Sequence, residues 1–317
     1  MTFEVVQYRA ADHEALWDAW CGTVPNATFL HSRRFLGYHG ARFADRSVLL
    51  YQAGRLVAVM PAAAMPDDAD AVGSHPGATY GGLVHDGSVT GERAIEAIAQ
   101  LRAHYRAAGF GRLVYKAMPR QFKPVPGDDD LYALFRLDAR RVACNLACVI
   151  DLAHRRTPSE RRRRALRKAR RSVEVVTDIA LLPALWEIIA DNVARRFGAR
   201  PVHSREELVR LAELFPENVR LYGGTVDGRL EAGIVLFNTA TTWRAQYIGS
   251  TEAGHEASAL DAVLEDAIAA AAAGGARYVD FGTSNADDGR VLNEGLYRFK
   301  VEFGGGGAVH ETYELPL

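Results

Sequence analysis

The sequence predicts an α/β protein made of two tandem domains, each with a mixed central sheet flanked by helices. Its 317 residues fit about two domains of ordinary size. Hydrophobic residues make up 48% and charged residues 24% of the chain, which is typical of a globular protein that buries a substantial core. The same order of predicted elements also occurs in both halves, with a boundary expected after residue 152.

The first copy of this order occupies residues 47–118. The segment SVLLYQAGRLVAVMPAA (47–63) predicts two strands joined by an Ala-Gly turn. A glycine-containing loop (73–87) follows, and then a helix is expected from residue 92 to residue 108. The strand GRLVYKAM (111–118) completes the first copy.

The second copy begins at residue 218, after two predicted helices. Residues 218–237 predict two strands joined by an Asp-Gly turn, and TTWRAQYIGS (241–250) predicts a third strand. A helix is expected from about residue 257 to residue 273, followed by a strand over 276–284. Matching strand, helix and strand segments in both halves therefore favour a tandem duplication.

Short sequence matches support the duplication. Gly-Arg-Leu occurs at both predicted turns, at 54–56 and at 228–230. A Gly-x-x-Arg-x-Val pattern follows each long helix, at 109–114 and at 274–279. The offset between copies differs slightly between the two matches, as loops of unequal length would produce.

Charge is balanced over the whole chain but not locally. The 38 basic and 39 acidic residues give a net charge of −1. Residues 155–171 contain ten Arg or Lys and one Glu, so this segment carries +9 and the remainder carries −10. Such a segment attracts polyanions, although a solvated helix face used for solubility is an equally good interpretation. The segment has no aromatic residues, so phosphate contact is favoured over base stacking. The candidate phosphate-binding residues are Arg163, Arg164, Arg167 and Lys168.

The basic segment also predicts a helix with a defined start. Thr157 is the expected N-cap, Pro158 suits the first helical position, and Glu160 completes a capping box. Leu166 and Ala169 form a thin apolar stripe on the face opposite the arginines.

Several classes of protein are excluded by what the sequence lacks. The three cysteines, Cys21, Cys144 and Cys148, have neither disulfide-framework nor metal-ligand spacing, so no metal site is expected and buried thiols are predicted. No phosphate-binding loop or dinucleotide fingerprint is present, which argues against kinases and dehydrogenases. The start of the sequence has no signal-peptide pattern and no stretch reaches 18 apolar residues, so a soluble, cytoplasmic protein without membrane insertion is expected.

Five segments together carry a family resemblance. They are FLHSRRFLGYHGARF (29–43), SHPGATYGGLV (74–84), DLYALFR (130–136), the basic crossover (148–175) and YVDFGTSN…NEGLYRFKVEFGG (278–305). On these segments the chain resembles the FemAB-like tandem GNAT family, which includes peptidoglycan aminoacyl-tRNA-dependent transferases. The resemblance implies two tandem GNAT-like domains, with residues 1–152 on the acceptor side and residues 153–317 on the donor side.

The resemblance implies an amide-forming N-acyltransferase. It would join an acyl or aminoacyl group to an amine of a small molecule, nucleotide sugar or glycan precursor. The co-substrate would be acyl-CoA or aminoacyl-tRNA, with no permanently bound cofactor, and DNA is not an expected partner. The alternative is a non-catalytic nucleic-acid- or metabolite-binding protein on the same duplicated fold.

The loop after the third strand of the second copy departs from simple GNAT enzymes. In those enzymes, backbone N–H groups at this position hold the CoA pyrophosphate at a helix N-terminus. Here the loop spans 249–256 and contains Glu252 and Glu256, which are expected to repel pyrophosphate. CoA is therefore not expected to bind in the standard way, which slightly favours aminoacyl-tRNA.

The resemblance also implies three candidate catalytic residues. Lys300 matches a lysine placed beside the transferred acyl group, where it would stabilise an oxyanion or the terminal tRNA phosphate. Tyr297 lies where GNAT enzymes have a tyrosine that protonates the departing thiolate. Asp280 ends an apolar strand and could orient the amine or act as a base. The structural alternatives are a surface lysine, a core aromatic and a turn cap.

Candidate substrate-binding residues come from both halves. In the first half, His75 and Tyr80 lie in a glycine-rich loop that suits an exposed pocket wall, with His75 as a candidate base or a structural histidine. In the second half, strict alternation places Arg244 and Gln246 on one strand face and Tyr247 on the other, so they are not expected to line one cleft. Ser284 and Asn293 in the terminal loop are further candidates.

Overall fold

The computed structural model of the chain describes residues 2–317, apart from the side chains of residues 196 and 197. The chain forms two compact units. The first comprises Met1–Asn145, Asp287–Val291 and Val309–Leu317, and the second comprises Leu146–Ala286 and Leu292–Ala308. This division differs from a single cut after residue 152, because the end of the chain returns to the first unit as a strand.

The helices occur in both halves of the chain, between runs of strands. None of the helices in the described part of the chain is both long enough and apolar enough to cross a lipid bilayer. The helices are α1 (Ala10–Cys21), α2 (Arg33–Leu36), α3 (Glu92–Ala107), α4 (Asp129–Arg136), α5 (Glu160–Ala169), α6 (Leu182–Phe197), α7 (Arg205–Leu214), α8 (Glu252–Ala257), α9 (Ala259–Ala273) and α10 (Glu294–Val301).

The strands of the first unit come mainly from the N-terminal half of the chain, and those of the second unit from the C-terminal half. The strands are β1 (Glu4–Gln7), β2 (Val48–Gln52), β3 (Arg55–Met60), β4 (Ala63–Met65), β5 (Asp68–Gly73), β6 (Val84–His85), β7 (Arg112–Lys116), β8 (Arg140–Asp151), β9 (Val173–Val176), β10 (Val219–Val226), β11 (Arg229–Asn238), β12 (Thr242–Ser250), β13 (Tyr278–Thr283), β14 (Asn285–Ala286), β15 (Val291–Leu292) and β16 (Gly306–Pro316).

The first unit contains two groups of paired strands. β1, β2, β3 and β6 form an antiparallel sheet, and β4, β5, β7 and the C-terminal part of β16 form a second, mixed group. The predicted first hairpin and the predicted helix over 92–108 are therefore present as β2–β3 and α3. α3 buries Ile98, Leu101 and Tyr105 on one face, which is the helical spacing of a core-facing stripe.

The second unit has one mixed sheet in the order β8, β13, β12, β11, β10, β9. Most neighbours are antiparallel, but β12 and β13 run parallel. α9 covers one face with Val263, Leu264, Ala267 and Ile268, all buried. The predicted helix over 257–273 begins later than expected, because Ser258 has a φ of +58° and separates α8 from α9.

The predicted α/β class with mixed sheets and flanking helices is confirmed. The two units share the order of hairpin, helix and strand, but they use it differently. In the second unit the hairpin β10–β11 and the strand β13 belong to one sheet. In the first unit the hairpin β2–β3 and the strand β7 belong to separate sheets, because β3 pairs with β6.

The basic helix α5 begins two residues later than the sequence predicts. Its N-cap is Ser159, whose hydroxyl accepts from the backbone N–H of Arg162, and not Thr157. Ala169 is buried and Leu166 is half-buried, so the predicted apolar stripe is confirmed. The guanidinium of Arg162 is also buried on this inner face, which the sequence did not predict.

Arg162 joins three helices of the second unit. Its guanidinium donates to Asp261 at the start of α9 at 2.8 Å and to Glu302 after α10 at 2.9 Å. It also lies over the rings of Phe299 and Phe303, 4.5 and 5.2 Å from their centroids. The charge is thus both paired and stacked, which is the arrangement that a buried arginine requires.

Replacing Arg162 is expected to destabilise the protein strongly. Arg162→Met would leave the buried carboxylate of Asp261 and the half-buried carboxylate of Glu302 without their cation, at a cost of about 3–5 kcal/mol in the free energy of unfolding. Arg163→Met is the matched control, because exposed Arg163 pairs only with Glu160 and should cost less than about 1 kcal/mol. Urea unfolding of both variants measures the difference. Equal losses would show that the Arg162 pair contributes no more than a surface pair.

His31 is expected to make the protein sensitive to acid. It is completely buried, its Nδ1 accepts from the backbone N–H of Thr28, and burial lowers its pKa to about 4. The unfolded chain binds a proton at this site below about pH 6.5, whereas the folded protein does not until about pH 4. The contribution of His31 to the free energy of unfolding is therefore fully present above pH 6.5, and about 3 kcal/mol of it is lost as the pH drops to 4.

The variant His31→Asn isolates this effect, because its amide oxygen can accept from Thr28 and carries no charge at any pH. Urea unfolding between pH 4 and pH 7 should show a shallower pH dependence for His31→Asn than for the wild type. Identical slopes for the two proteins would contradict the assignment to His31.

Candidate active site

The candidate site of the second unit lies where two parallel strands separate. β12 and β13 pair only over their first residues, from Thr242 opposite Tyr278 to Arg244 opposite Asp280. On its other edge, each strand stays paired on both sides of this point, β12 with β11 and β13 with β8. The carboxyl ends of the two strands therefore diverge, and the backbone edges that face each other are available to a ligand.

Each diverging strand contains a bulge at the point of separation. In β12, Val235 lies opposite Tyr247 and Leu236 lies opposite Ala245, so Gln246 has no opposite residue. In β13, the register shifts between Asp280 and Thr283. A bulge increases local twist and re-aims side chains, which explains why the strands part here.

A cavity of about 1010 Å³ occupies the space between the diverging strands. Its walls come from β12, the end of β13, and helices α5, α6, α8, α9 and α10. Arg244, Gln246 and Tyr247 all line it, so the expectation that they could not share one cleft is wrong. The bulge at Gln246 is the reason, since it interrupts the alternation on which that expectation depended.

Lys300 lies in the wall of this cavity and is 5% exposed. Its ammonium donates to the carbonyl oxygens of Gly282 at 3.0 Å and Thr283 at 2.7 Å. Burial lowers its pKa to about 8, against the opposing effect of the Asp280 charge. The alternative of a surface lysine does not apply. A φ of +71° at Gly282, which favours glycine, belongs to the irregular turn that presents these carbonyls.

Asp280 is fully buried on β13 and does not line the cavity. Its Oδ1 accepts from the backbone N–H of Gly282 at 2.6 Å, which is the capping arrangement. Its charge also favours the protonated form of Lys300. Asp280 therefore holds the turn that Lys300 contacts, and its placement suits a supporting role better than direct contact with an amine.

Three other predicted residues lie around Lys300 with different exposures. Asn293 lines the cavity and caps α10, its Oδ1 accepting from the N–H of Leu296 at 3.0 Å. Tyr297 lies one turn before Lys300 but packs against the core, and burial raises its pKa. Ser284 is buried beside the end of β13, where its backbone accepts from Asn293 at 2.8 Å. Of these three residues, Asn293 alone lines the same cavity as Lys300.

The first-unit candidates do not form an exposed wall. His75 is 3% exposed and stacks on His39 at 5.4 Å, and burial lowers its pKa to about 3. Tyr80 is 1% exposed, and its hydroxyl donates to Thr28 at 3.2 Å. The expectation of an exposed loop is wrong because the small residues let aromatic side chains close over it. A histidine with so low a pKa is a poor base at neutral pH.

The basic helix presents different residues to the cavity than the sequence predicts. Arg161, Arg162 and Ala165 line it. The predicted phosphate-binding residues lie on the exposed face of α5; they are Arg163, Arg164, Arg167 and Lys168. Glu160 forms ion pairs with the three arginines.

The acidic residues of α8 do not oppose an anion in the cavity. Gly254, His255 and Ser258 line it, whereas Glu252 and Glu256 are exposed and lie outside its lining. The repulsion expected between these glutamates and a pyrophosphate therefore does not follow from the structure. The carboxylate of Glu231 accepts a hydrogen bond from the hydroxyl of Thr251, the N-cap residue of α8.

Sequence reasoning did not single out Arg161, His255 or Asn192 as cavity residues. Asn192 binds the backbone of Ser250 through both amide atoms at 3.0 Å and so fixes the end of β12 to α6. Arg161 lies in the basic run that the sequence did identify, but only the phase of the helix distinguishes it from its neighbours. No local pattern marks His255 or Asn192.

Comparisons with known proteins agree with this geometry. Residues 153–300 match a family described as an acetyltransferase (GNAT) domain. No curated protein matches the chain in sequence. The matched residues include the basic helix, the diverging strands and Lys300, so the domain signature and the cavity coincide.

Solved structures match almost the whole chain. A crystal structure of FemX aligns with a TM-score of 0.70 at 13% identity, covering 99% of this chain and 97% of that one. The C-terminal domain of a putative lysylphosphatidylglycerol synthetase from Agrobacterium fabrum aligns with a TM-score of 0.62 at 12% identity, covering 95% and 91%. A tandem GNAT protein from the clavulanic acid biosynthesis pathway aligns with a TM-score of 0.53 at 15% identity, covering 99% and 98%. The predicted FemAB-like tandem GNAT fold is confirmed.

The buried ammonium of Lys300 is expected to make stability rise with pH in the alkaline range. Its pKa is about 8 in the folded protein and about 10.4 in an unfolded chain, so the unfolded state binds more protons between these values. The cost of burying the charge is fully present below pH 8 and is removed by about pH 10.5, a gain of about 3 kcal/mol.

The uncharged variant Lys300→Met provides the reference for this prediction. Urea unfolding at pH 7, 8, 9 and 10 should show the wild type gaining stability relative to Lys300→Met as the pH rises. A constant difference between the two proteins from pH 7 to pH 10 would contradict a lowered pKa at Lys300.

Proposed function

We propose that the protein is an N-acyltransferase that takes an acyl or aminoacyl group from an activated donor held in the second unit and transfers it to an amine. The observation that carries this proposal is the buried ammonium of Lys300 in the wall of the cavity between β12 and β13. The GNAT domain match over the same residues supports an acyltransferase.

The cavity suits the binding of a carbonyl group. The two strands stop pairing at Arg244 and Asp280, so a donor inserted between them can hydrogen-bond to backbone groups beyond this point. An ammonium has three N–H donors, and the carbonyls of Gly282 and Thr283 accept two of them. The third can stabilise the oxyanion that forms when an amine attacks the donor carbonyl.

The charges around the cavity favour an anionic donor. Its lining includes the cations of Arg161, Arg162, Arg244 and Lys300, and one carboxylate, that of Asp261, which pairs with Arg162. The remaining positive charge suits the phosphates that both acyl-CoA and aminoacyl-tRNA carry. Glu252 and Glu256 are exposed, so the charge argument against CoA loses its force.

Two of the similar structures have names that bear on the choice of donor. One is named a putative lysylphosphatidylglycerol synthetase, and another is a tandem GNAT protein whose structure is described as being without AcCoA. The exposed arginines of α5 provide the discriminating feature. They are proposed to bind the backbone phosphates of a tRNA and would contribute little to a small thioester.

The test is a transfer assay with acetyl-CoA and with a pool of aminoacylated tRNA as donors, and a mixture of primary amines as acceptors. Lys300→Met should lower kcat/KM at least 100-fold, as expected for loss of an oxyanion-stabilising donor. Lys168→Met is the matched control, because it removes an exposed lysine of the same unit and should retain activity within about twofold with acetyl-CoA. Full activity of Lys300→Met would refute the proposed role.

The donor is identified by a second variant in the same assay. Neutralising the exposed face of α5 with Arg163→Gln, Arg164→Gln and Arg167→Gln should weaken tRNA binding and reduce its salt dependence if tRNA is the donor. The same triple variant should leave KM for acetyl-CoA within about twofold if acyl-CoA is the donor. Absence of turnover with either donor would contradict the proposed function itself.

A further inference from the structure

Tyr247 lines the cavity, and its hydroxyl group makes two contacts with His203 and one with the side chain of Gln246. The backbone N–H of His203 donates to Tyr247 Oη at 3.1 Å, and His203 Nδ1 lies 2.6 Å from the same oxygen. Tyr247 lines the cavity, whereas His203 is 4% exposed behind it. The pair therefore connects the ligand space to a buried imidazole.

The backbone hydrogen bond to Tyr247 has a fixed direction, because a backbone N–H can only donate and Oη therefore accepts. The Gln246 side chain also hydrogen-bonds to this hydroxyl, so a proton relay requires that the hydroxyl proton be donated to His203 Nδ1, 2.6 Å away. Nδ1 must then be unprotonated, and Nε2 carries the proton of the neutral ring. The imidazole is thus arranged to receive the hydroxyl proton of Tyr247.

The surroundings hold the pair in place and set its charge balance. Trp186 Nε1 donates to the carbonyl of His203 at 3.2 Å, and the ring of Phe237 packs edge-on at 6.3 Å. Burial is the main reason that the pKa of Tyr247 is raised, and the nearby charge of Glu207 raises it further, against the lowering effect of Arg244. The phenol therefore stays protonated at neutral pH and can act only by passing a proton on.

We propose that Tyr247 and His203 form a proton relay for the transfer reaction, with Tyr247 as the group that contacts the attacking amine and His203 as the residue that acts through it. This inference depends on the proposed acyl transfer. As the nitrogen–carbon bond forms, the amine proton passes to Tyr247 Oη and the hydroxyl proton passes to His203 Nδ1. When the intermediate collapses, the same path returns one proton to the departing sulfur or oxygen of the donor.

The charge on Glu207 favours this transfer. Its carboxylate accepts from the backbone N–H of Ser204 at 2.8 Å, and Ser204 directly follows His203 in the chain. A negative charge at this position stabilises the imidazolium form of His203. Arg244 opposes it from β12, so the two charged groups facing the pair act in opposite directions. The relay thus assigns the role of general base, which His75 does not fill.

The kinetic test compares two variants with the wild type in the acetyl-CoA and aminoacyl-tRNA assays. His203→Asn places an amide oxygen where Nδ1 was, so it keeps the hydrogen bond but cannot take a proton. Both His203→Asn and Tyr247→Phe should lower kcat at least 100-fold while KM for the donor stays within about threefold. The loss of rate at acidic pH should disappear in His203→Asn. The matched control is His31→Asn, a buried histidine in the first unit, which should keep kcat at pH 7.5.

A second measurement tests the relay without depending on turnover. Nitrogen-15 NMR of the histidine rings should show His203 with Nε2 protonated and Nδ1 accepting a hydrogen bond. The variant Tyr247→Phe should change the chemical shift of Nδ1. A protonated Nδ1, or unchanged kcat in His203→Asn with an active wild type, would overturn the relay alone. A wild type that turns over no donor would overturn the proposed function, and the relay with it.

Discussion

The separation of β12 from β13 is the constraint on which the rest of the second unit depends. Two parallel strands that stop pairing leave backbone carbonyl groups that must find other partners. Lys300 supplies such a partner. Its ammonium donates hydrogen bonds to the carbonyl oxygens of Gly282 and Thr283, as the backbone of a neighbouring strand would. Burying that charge is unfavourable, which is why its pKa falls to about 8. The same arrangement places a cation in the wall of the cavity, where it is proposed to stabilise an oxyanion.

Arg162 has a comparable role on the opposite wall. Its contacts with Asp261 and Glu302 fix α5 against α9 and the end of α10, and α10 carries Lys300. The position of the basic helix therefore influences the position of the catalytic candidate. A run of arginines that looks uniform in sequence is divided by helix phase into Arg161 and Arg162, which line the cavity, and an exposed set around Glu160; of the two cavity residues, only Arg162 is buried.

The fold was largely predictable from local patterns, whereas the candidate site was predictable only in part. The hairpins with Ala-Gly and Asp-Gly turns and the helix α3 appear where the sequence places them. Lys300 was identified through family resemblance. Tyr247 was not expected to share a cleft with Arg244 and Gln246, because the prediction assumed strict alternation and β12 has an unpaired residue at Gln246.

Local sequence patterns specify the α/β class, the repeated order of elements and the location of the basic helix. Each of these depends on neighbouring residues or on short motifs, which sequence patterns record directly. Contacts that exist only in the folded chain bury His75, bring Tyr247 to His203, and place Arg161 and Arg162 of α5 at the cavity. These outcomes depend on contacts between distant segments, on strand bulges and on helix phase. Burial and side-chain direction at such positions are set by the packed fold, and no local pattern specifies them.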